Sequence, residues 1–200
     1  ENPCPSLYAC CHVPDEEFIR GNVPMTKEEV RAVSIAALRL TEHAVVYDIG
    51  AGTGSVSVEA ALSGTGIRVY AVEKNPEAVS LICQNRKKFR TDGIRVVSGK
   101  APEALEDLEA PTHVFIGGSS GNLKEILRTV LDRSPEARIV VNAISLETVS
   151  EAMEAAEEGL LRDAQITQIM ASRSRKLGRY HMMTGQNPVY IISAGGRSDV

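Results

Sequence analysis

VVYDIGAGTGSVSVEAA, residues 45–61, places Gly50, Gly52 and Gly54 between two apolar runs. A short β-branched run, an alternating glycine turn and an alanine-rich run in succession read as strand, tight turn and helix. Glycine in the turn admits positive φ and removes the Cβ that would hold a ligand off the backbone. Asp48 closes the strand, and a helix opening near Ser55 turns its N–H groups and the positive end of its dipole toward the bound group. The dinucleotide-binding pattern G-x-G-x-x-G fails in both registers, because Ser55 and Ser57 stand where it requires glycine. The pattern that remains is D-x-G-x-G-x-G, from Asp48 to Gly54.

Outward from the turn, β-branched runs alternate with helical patterns: AVVYDI and SVEAALS, IRVYAVE and PEAVSLICQNRKKF, IRVVSG and PEALEDL, THVFIG and GNLKEILRTVLD, ARIVVNAI and LETVSEAMEAAEEGL. This alternation predicts an α/β fold with a mostly parallel sheet covered by helices on both faces. AQITQIMAS and VYIISA follow with only a polar loop between them, which predicts an antiparallel hairpin at the sheet edge and about seven strands in all. Upstream, TKEEVRAVSIAALRL predicts a helix with Thr26 as N-cap, Glu29 completing a capping box, and Val30, Val33, Ala37 and Leu38 on its buried face.

Two hundred residues suit one domain. The first 24 carry four prolines and no periodicity and read as an N-terminal arm or linker, with the domain proper at 25–200. Apolar residues at 43% and charged residues at 24% are ordinary globular values, and no apolar run approaches the about 18 residues of a membrane span. No export signal is apparent, so a cytoplasmic location is expected. A net charge of −4 argues against broad nucleic-acid binding. Cys4, Cys10, Cys11 and His12 lack the paired spacing of a zinc site, so no bound metal is expected; Cys83, inside a helical pattern, reads as a buried small hydrophobe.

Open α/β sheets bind ligands outside the carboxyl ends of their strands. Glu73 ends the second strand in YAVEKNP, where a carboxylate accepts hydrogen bonds from ribose hydroxyls, and Asn75 and Pro76 then cap the next helix. The loop after the third strand, Ser98 to Ala101, lies beside them. The fourth strand ends in Gly117, Gly118 and Ser119, without the D/N-P-P-Y/F of many amino-group methyltransferases; the two glycines suggest a backbone cradle for a carboxylate. QNPVY, residues 186–190, echoes that motif but sits where Pro188 opens the last strand. SRSRKLGRYH, residues 172–181, concentrates Arg173, Arg175, Lys176 and Arg179 beside Tyr180, His181, Met182 and Met183. Arginine forks suit carboxylates, and Tyr180 and His181 are candidates for proton transfer.

D-x-G-x-G-x-G resembles the first motif of class I S-adenosylmethionine-dependent methyltransferases. VPMTKEEVRA, DIGAGTGSVSVEAAL, AVEKNPEAV, APEAL, IGGSSGNLKEIL, AISLET and MMTGQNPVYII together resemble the decarboxylating precorrin carbon-15 methyltransferases of cobalamin biosynthesis, from about Val13 to about Ala194. The resemblance implies methyl transfer from S-adenosylmethionine to carbon 15 of a polycarboxylate tetrapyrrole, with loss of carbon dioxide from the ring C acetate. It implies cofactor contacts at Thr26, Asp48, Gly50, Ala51, Gly52, Thr53, Gly54, Glu73 and Ala101. Substrate contacts are expected at Gly117, Gly118, Ser119, Arg173, Arg175 and Arg179. Relatives often carry an acidic residue where Lys100 stands. A homotetramer, and a fused or separate carbon-5 methyltransferase partner, are further implications. Two other classes share the residue pattern: a tRNA or rRNA methyltransferase using the basic loop as a phosphate stripe, and a non-catalytic nucleotide-binding subunit.

Overall fold

The computed structural model describes residues 12–196, so Cys4, Cys10 and Cys11 lie outside the described residues. The helices are α1 (Glu28–Leu38), α2 (Ser55–Leu62), α3 (Pro76–Lys88), α4 (Leu123–Arg133) and α5 (Leu146–Glu157). The strands are β1 (Val45–Ile49), β2 (Arg68–Glu73), β3 (Ile94–Ser98), β4 (His113–Ile116), β5 (Arg138–Ala143), β6 (Gln165–Ile169), β7 (Ser172–Leu177), β8 (Tyr180–Gly185) and β9 (Val189–Ala194).

Seven strands form one sheet in the order β3-β2-β1-β4-β5-β9-β6, the first five parallel and β9 antiparallel to both neighbours. Covered on both faces, β1, β4 and β5 are buried along their whole length, which is why they read as unbroken apolar runs rather than alternations. One core layer lies under α4 and α5, with Leu105, Leu123 and Leu127 fully buried. The other lies under α1, α2 and α3 and includes Val13 and Phe18, so the segment read as an arm is packed into the domain from Val13 onward.

The polar loop expected between the last two sheet strands is structured. It is a separate two-stranded ribbon, β7 paired antiparallel with β8 from Ser172↔Gly185 to Leu177↔Tyr180. Its strands, SRSRKL and YHMMTG, show no polar–apolar alternation and are mostly exposed, so the periodicity that marks a half-buried strand is missing from them. PEALEDL, expected to be a helix, is a 3-10 turn at Glu103–Leu105. The Thr26 capping box does not form: Lys27 holds the N-cap position without a side-chain cap, and Glu29 is drawn to Arg173 at 2.6 Å. The buried face of α1 is also rotated from the expected one, to Val30, Arg31, Ser34, Ile35 and Leu38. Cys83 is exposed rather than buried. Asn75 caps α3 as predicted, its Oδ1 accepting from the Glu77 amide at 2.9 Å, with Pro76 at the first helical position.

Candidate active site

A cleft of about 670 Å³ opens at the carboxyl ends of the parallel strands. Its floor is Ile49, Gly50, Ala51 and Gly52 after β1; Val72 and Glu73 close β2, Gly99 to Ala101 follow β3, and Gly117 to Ser120 follow β4. Val23 to Lys27 form one wall, Asn142 and Ile144 another, and Gln186, Asn187 and Val189 complete the rim. The position is the one the topology dictates, where strand order reverses between β1 and β4.

The glycines are required chiefly by the protein itself. Gly50, Gly52 and Gly54 have φ of 73°, 57° and 77°. A Cβ at Gly50 would stand 2.8 Å from the Gly118 backbone, one at Gly52 2.9 Å from the Pro24 carbonyl oxygen, and one at Gly54 3.2 Å from Ile82. The turn's donors are also spent. The Gly50 and Ala51 amides donate to the Val72 carbonyl at 3.0 and 3.2 Å, Gly54 donates to the Ala51 carbonyl at 2.8 Å, and Gly52 donates to Glu73 Oε2 at 2.9 Å. A turn that has used four of its five amides internally and presents a carboxylate is a poor phosphate cradle.

Glu73 is positioned by backbone. Its Oε1 accepts from the Lys74 and Asn75 amides at 2.8 and 2.9 Å while Oε2 takes Gly52. A carboxylate has about four acceptor positions, so one remains for a ligand hydroxyl at the cleft edge. Val72, Ala101 and Ile126 add apolar surface on either side of it. Asp48, by contrast, does not reach the cleft. Its side chain is buried beneath the turn, accepts from the Ser57 hydroxyl, and has a pKa pushed up to about 7, chiefly by burial. Thr53 and Gly54 do not line the cleft either; Thr53 is buried, and Gly54 lets α2 approach α3.

The wall formed by Val23 to Lys27 is fastened by an ion cluster that no motif reveals. Arg31, fully buried on α1, donates to Glu59 Oε1 on α2 at 2.6 Å, to Asp15 at 3.0 Å, to the Thr26 carbonyl at 2.7 Å and to the Val13 carbonyl. One guanidinium thus ties the N-terminal segment, the cleft wall and two helices together. The one sequence signal is a charged residue at helical spacing with Ser34, Ile35 and Leu38, on the face that proves buried.

The expected substrate residues divide. Gly117, Gly118 and Ser119 line the cleft, but the Gly117 and Gly118 amides donate to the Ile49 carbonyl at 2.9 and 3.4 Å, so they are not a free carboxylate cradle. Arg173 is committed elsewhere, to Glu29 at 2.6 Å and Glu28 at 2.9 Å, which pins the ribbon to the start of α1 and removes its charge from any anion stripe. Burial raises the Glu28 pKa, but hydrogen bonds from His12 and Arg173 outweigh it and hold the carboxyl well below its usual range. Arg175, Arg179, Tyr180 and His181 lie on exposed ribbon and do not line the cleft of their own chain; Arg179 donates to the Tyr180 hydroxyl. Lys27, Lys74 and Ile144 line it and were not singled out by motif; Lys100 in the loop after β3, and Gln186 and Asn187 of QNPVY, line it as well.

The precorrin methyltransferase domain family matches residues 17–194, nearly all of the described chain. The chain belongs to the precorrin methyltransferase family. A probable cobalt-precorrin-6B C(15)-methyltransferase (decarboxylating) from Pyrobaculum calidifontis is 46% identical over 94% of this chain and 97% of that relative. The crystal structure of precorrin-6y C5,15-methyltransferase from Geobacter metallireducens superposes with a TM-score of 0.86 at 39% identity, covering 92% of this chain and 96% of that one. A SAM-dependent O-methyltransferase from Thermotoga maritima shares the fold alone, with a TM-score of 0.69 at 12% identity over 88% of this chain and 68% of that one. The chain is therefore an enzyme of the class I methyltransferase fold.

Proposed function

We propose that the chain transfers a methyl group from S-adenosylmethionine to carbon 15 of a precorrin or cobalt-precorrin, with loss of carbon dioxide from the ring C acetate. The observation that supports this most strongly is one cleft holding a backbone-fixed Glu73 beside a turn whose cleft-lining amides, Gly50 to Gly52, are all committed to protein acceptors. Those groups suit a nucleoside that is neutral or cationic, and the relative from Pyrobaculum calidifontis bears the name of this reaction. Glu73 accepts from the ribose, Val72, Ala101 and Ile126 flank the adenine, and Gly50 to Gly52 admit the amino-acid part without side-chain obstruction.

The bound co-substrate supplies an activated methyl on a cationic sulfur. The chain's task is then to orient donor and acceptor carbon in line and to keep water out, for which the apolar cleft and the Val23 to Lys27 wall are suited. The ring itself can take up the electron pair released on decarboxylation, so no protein nucleophile is needed. Assembly into a tetramer belongs to the same reading. It is supported by exposed Ile166, Met170, Leu177, Met182 and Met183 on and beside the ribbon. Incubation with S-adenosylmethionine and cobalt-precorrin-6B, read by product mass, tests the reaction. A gain of one methylene with loss of carbon dioxide is expected, and an unchanged mass contradicts it.

A further inference from the structure

Of the cleft-lining lysines, Lys27 has a carboxylate within reach, Asp15 Oδ2 at 3.9 Å. Lys74 and Lys100, both on the rim of the cleft, do not. Lys74 leaves the tip of β2 and places its Nζ 2.9 Å from the Ser120 hydroxyl. Lys100 follows β3, and with the Asn122 amide oriented to satisfy both its atoms, Asn122 Oδ1 accepts from Nζ at 2.9 Å. Among the described residues, neither ammonium has a carboxylate within 4.0 Å. Both therefore reach from the β2 and β3 tips onto the same loop, the one between β4 and α4, and rest there on neutral oxygens.

We propose that Lys74 and Lys100 form a two-pronged clasp for the peripheral carboxylates of the substrate, in the place expected of the arginines on the ribbon. The inference rests on the function proposed above. A carboxylate makes shorter and stronger hydrogen bonds to ammonium than a hydroxyl or amide oxygen does, so a substrate acid displaces Ser120 and Asn122 as partner at a net gain. The loop has room for the exchange: a Cβ added at Gly118 or Gly121 would meet nothing within 4 Å. On another wall of the cleft, Ile144 lines the opening while 65% exposed, and Leu146 next to it is 73% exposed. Apolar surface on one side and two uncompensated ammonium groups on another match a flat macrocycle with an acidic fringe.

The test is steady-state turnover of cobalt-precorrin-6B by the intact enzyme and by Lys74→Met, Lys100→Met and the double variant. Lys87→Met, on the exposed side of α3, controls for net charge. We expect each cleft variant to raise KM for the tetrapyrrole about tenfold, the double variant more, while KM for S-adenosylmethionine and the Lys87→Met enzyme stay within about twofold of wild type. Unchanged tetrapyrrole KM in the double variant overturns the clasp and leaves the proposed reaction standing. A matching rise in KM for S-adenosylmethionine assigns the lysines to the co-substrate and also overturns it. Absence of turnover by the wild-type enzyme overturns the reaction itself.

Discussion

The glycine turn and the β7–β8 ribbon both caught attention in the sequence, and the structure treats them oppositely. The turn is buried at Ala51, Thr53 and Gly54 and opens to the cleft at Gly50, and four of its five amides are committed to protein acceptors. Its nearest carboxylate is held by three backbone donors. The ribbon is exposed along β8 and most of β7, pairs only with itself, and is fastened to the domain through Arg173. The turn is a fixed floor and the ribbon a tethered flap. What distinguishes them is whether each polar group has a partner, not how many charges or glycines each contains.

That contrast is broken most severely at the floor's anchor. Arg31→Met leaves Glu59 uncompensated in the core, while Asp15 keeps Lys27 and Arg173 at 3.9 Å, and should cost about 3–5 kcal/mol in denaturant unfolding. Replacing Glu59 by Leu in the same chain should return a large part of that loss, because the orphaned charge goes with it. If Arg31→Met alone is silent, the cluster does not fasten the cleft wall.

A second effect is pH-dependent. Asp48 has a folded pKa of about 7 against about 3.9 in an unfolded chain, so between those values the native state keeps a proton that the unfolded state has released. Stability should fall as pH rises from about 4 to about 7 and then level off. Asp48→Asn should flatten the profile, gaining on the order of 2–4 kcal/mol relative to wild type at pH 8. Parallel melting curves for the two proteins across that range would refute the assignment.

Gly50→Ala forces a Cβ into the Gly118 backbone at positive φ and should cost about 2–3 kcal/mol. Gly118→Ala, where the added carbon meets nothing, should stay within about 0.5 kcal/mol. Equal costs would mean that the turn and the β4–α4 loop are not in the close contact described. The smallest effect belongs to the flap. Arg173→Met, removing partly exposed pairs, should change global stability by less than about 1 kcal/mol, yet speed tryptic cleavage at Arg175 to Arg179. Unchanged cleavage would show that the ribbon is held by something other than Arg173.

These differences also explain what could be read in advance. The seven sheet strands, the Asn75–Pro76 cap and the place of Glu73 were legible because apolar run length, proline chemistry and strand-end position are local properties. Arg31 and Glu59 were not legible, because a buried charge declares itself only when its partner 28 positions away is brought beside it. Arg173 was read as free for the same reason: its partners lie 144 and 145 positions earlier in the chain. The glycines were noticed correctly but for an incomplete cause, since the backbones of Gly118 and Pro24 need the space at least as much as a ligand does.

The central claim is that the cleft is a nucleoside site organised by Glu73 rather than a phosphate site. Calorimetric titration with S-adenosylhomocysteine and with NAD⁺, on wild type and Glu73→Ala, tests it most directly. The account predicts that S-adenosylhomocysteine binds wild type, that Glu73→Ala weakens it at least about tenfold, and that NAD⁺ binds neither. Equal affinity for S-adenosylhomocysteine in both proteins, or comparable binding of NAD⁺ to wild type, would contradict it.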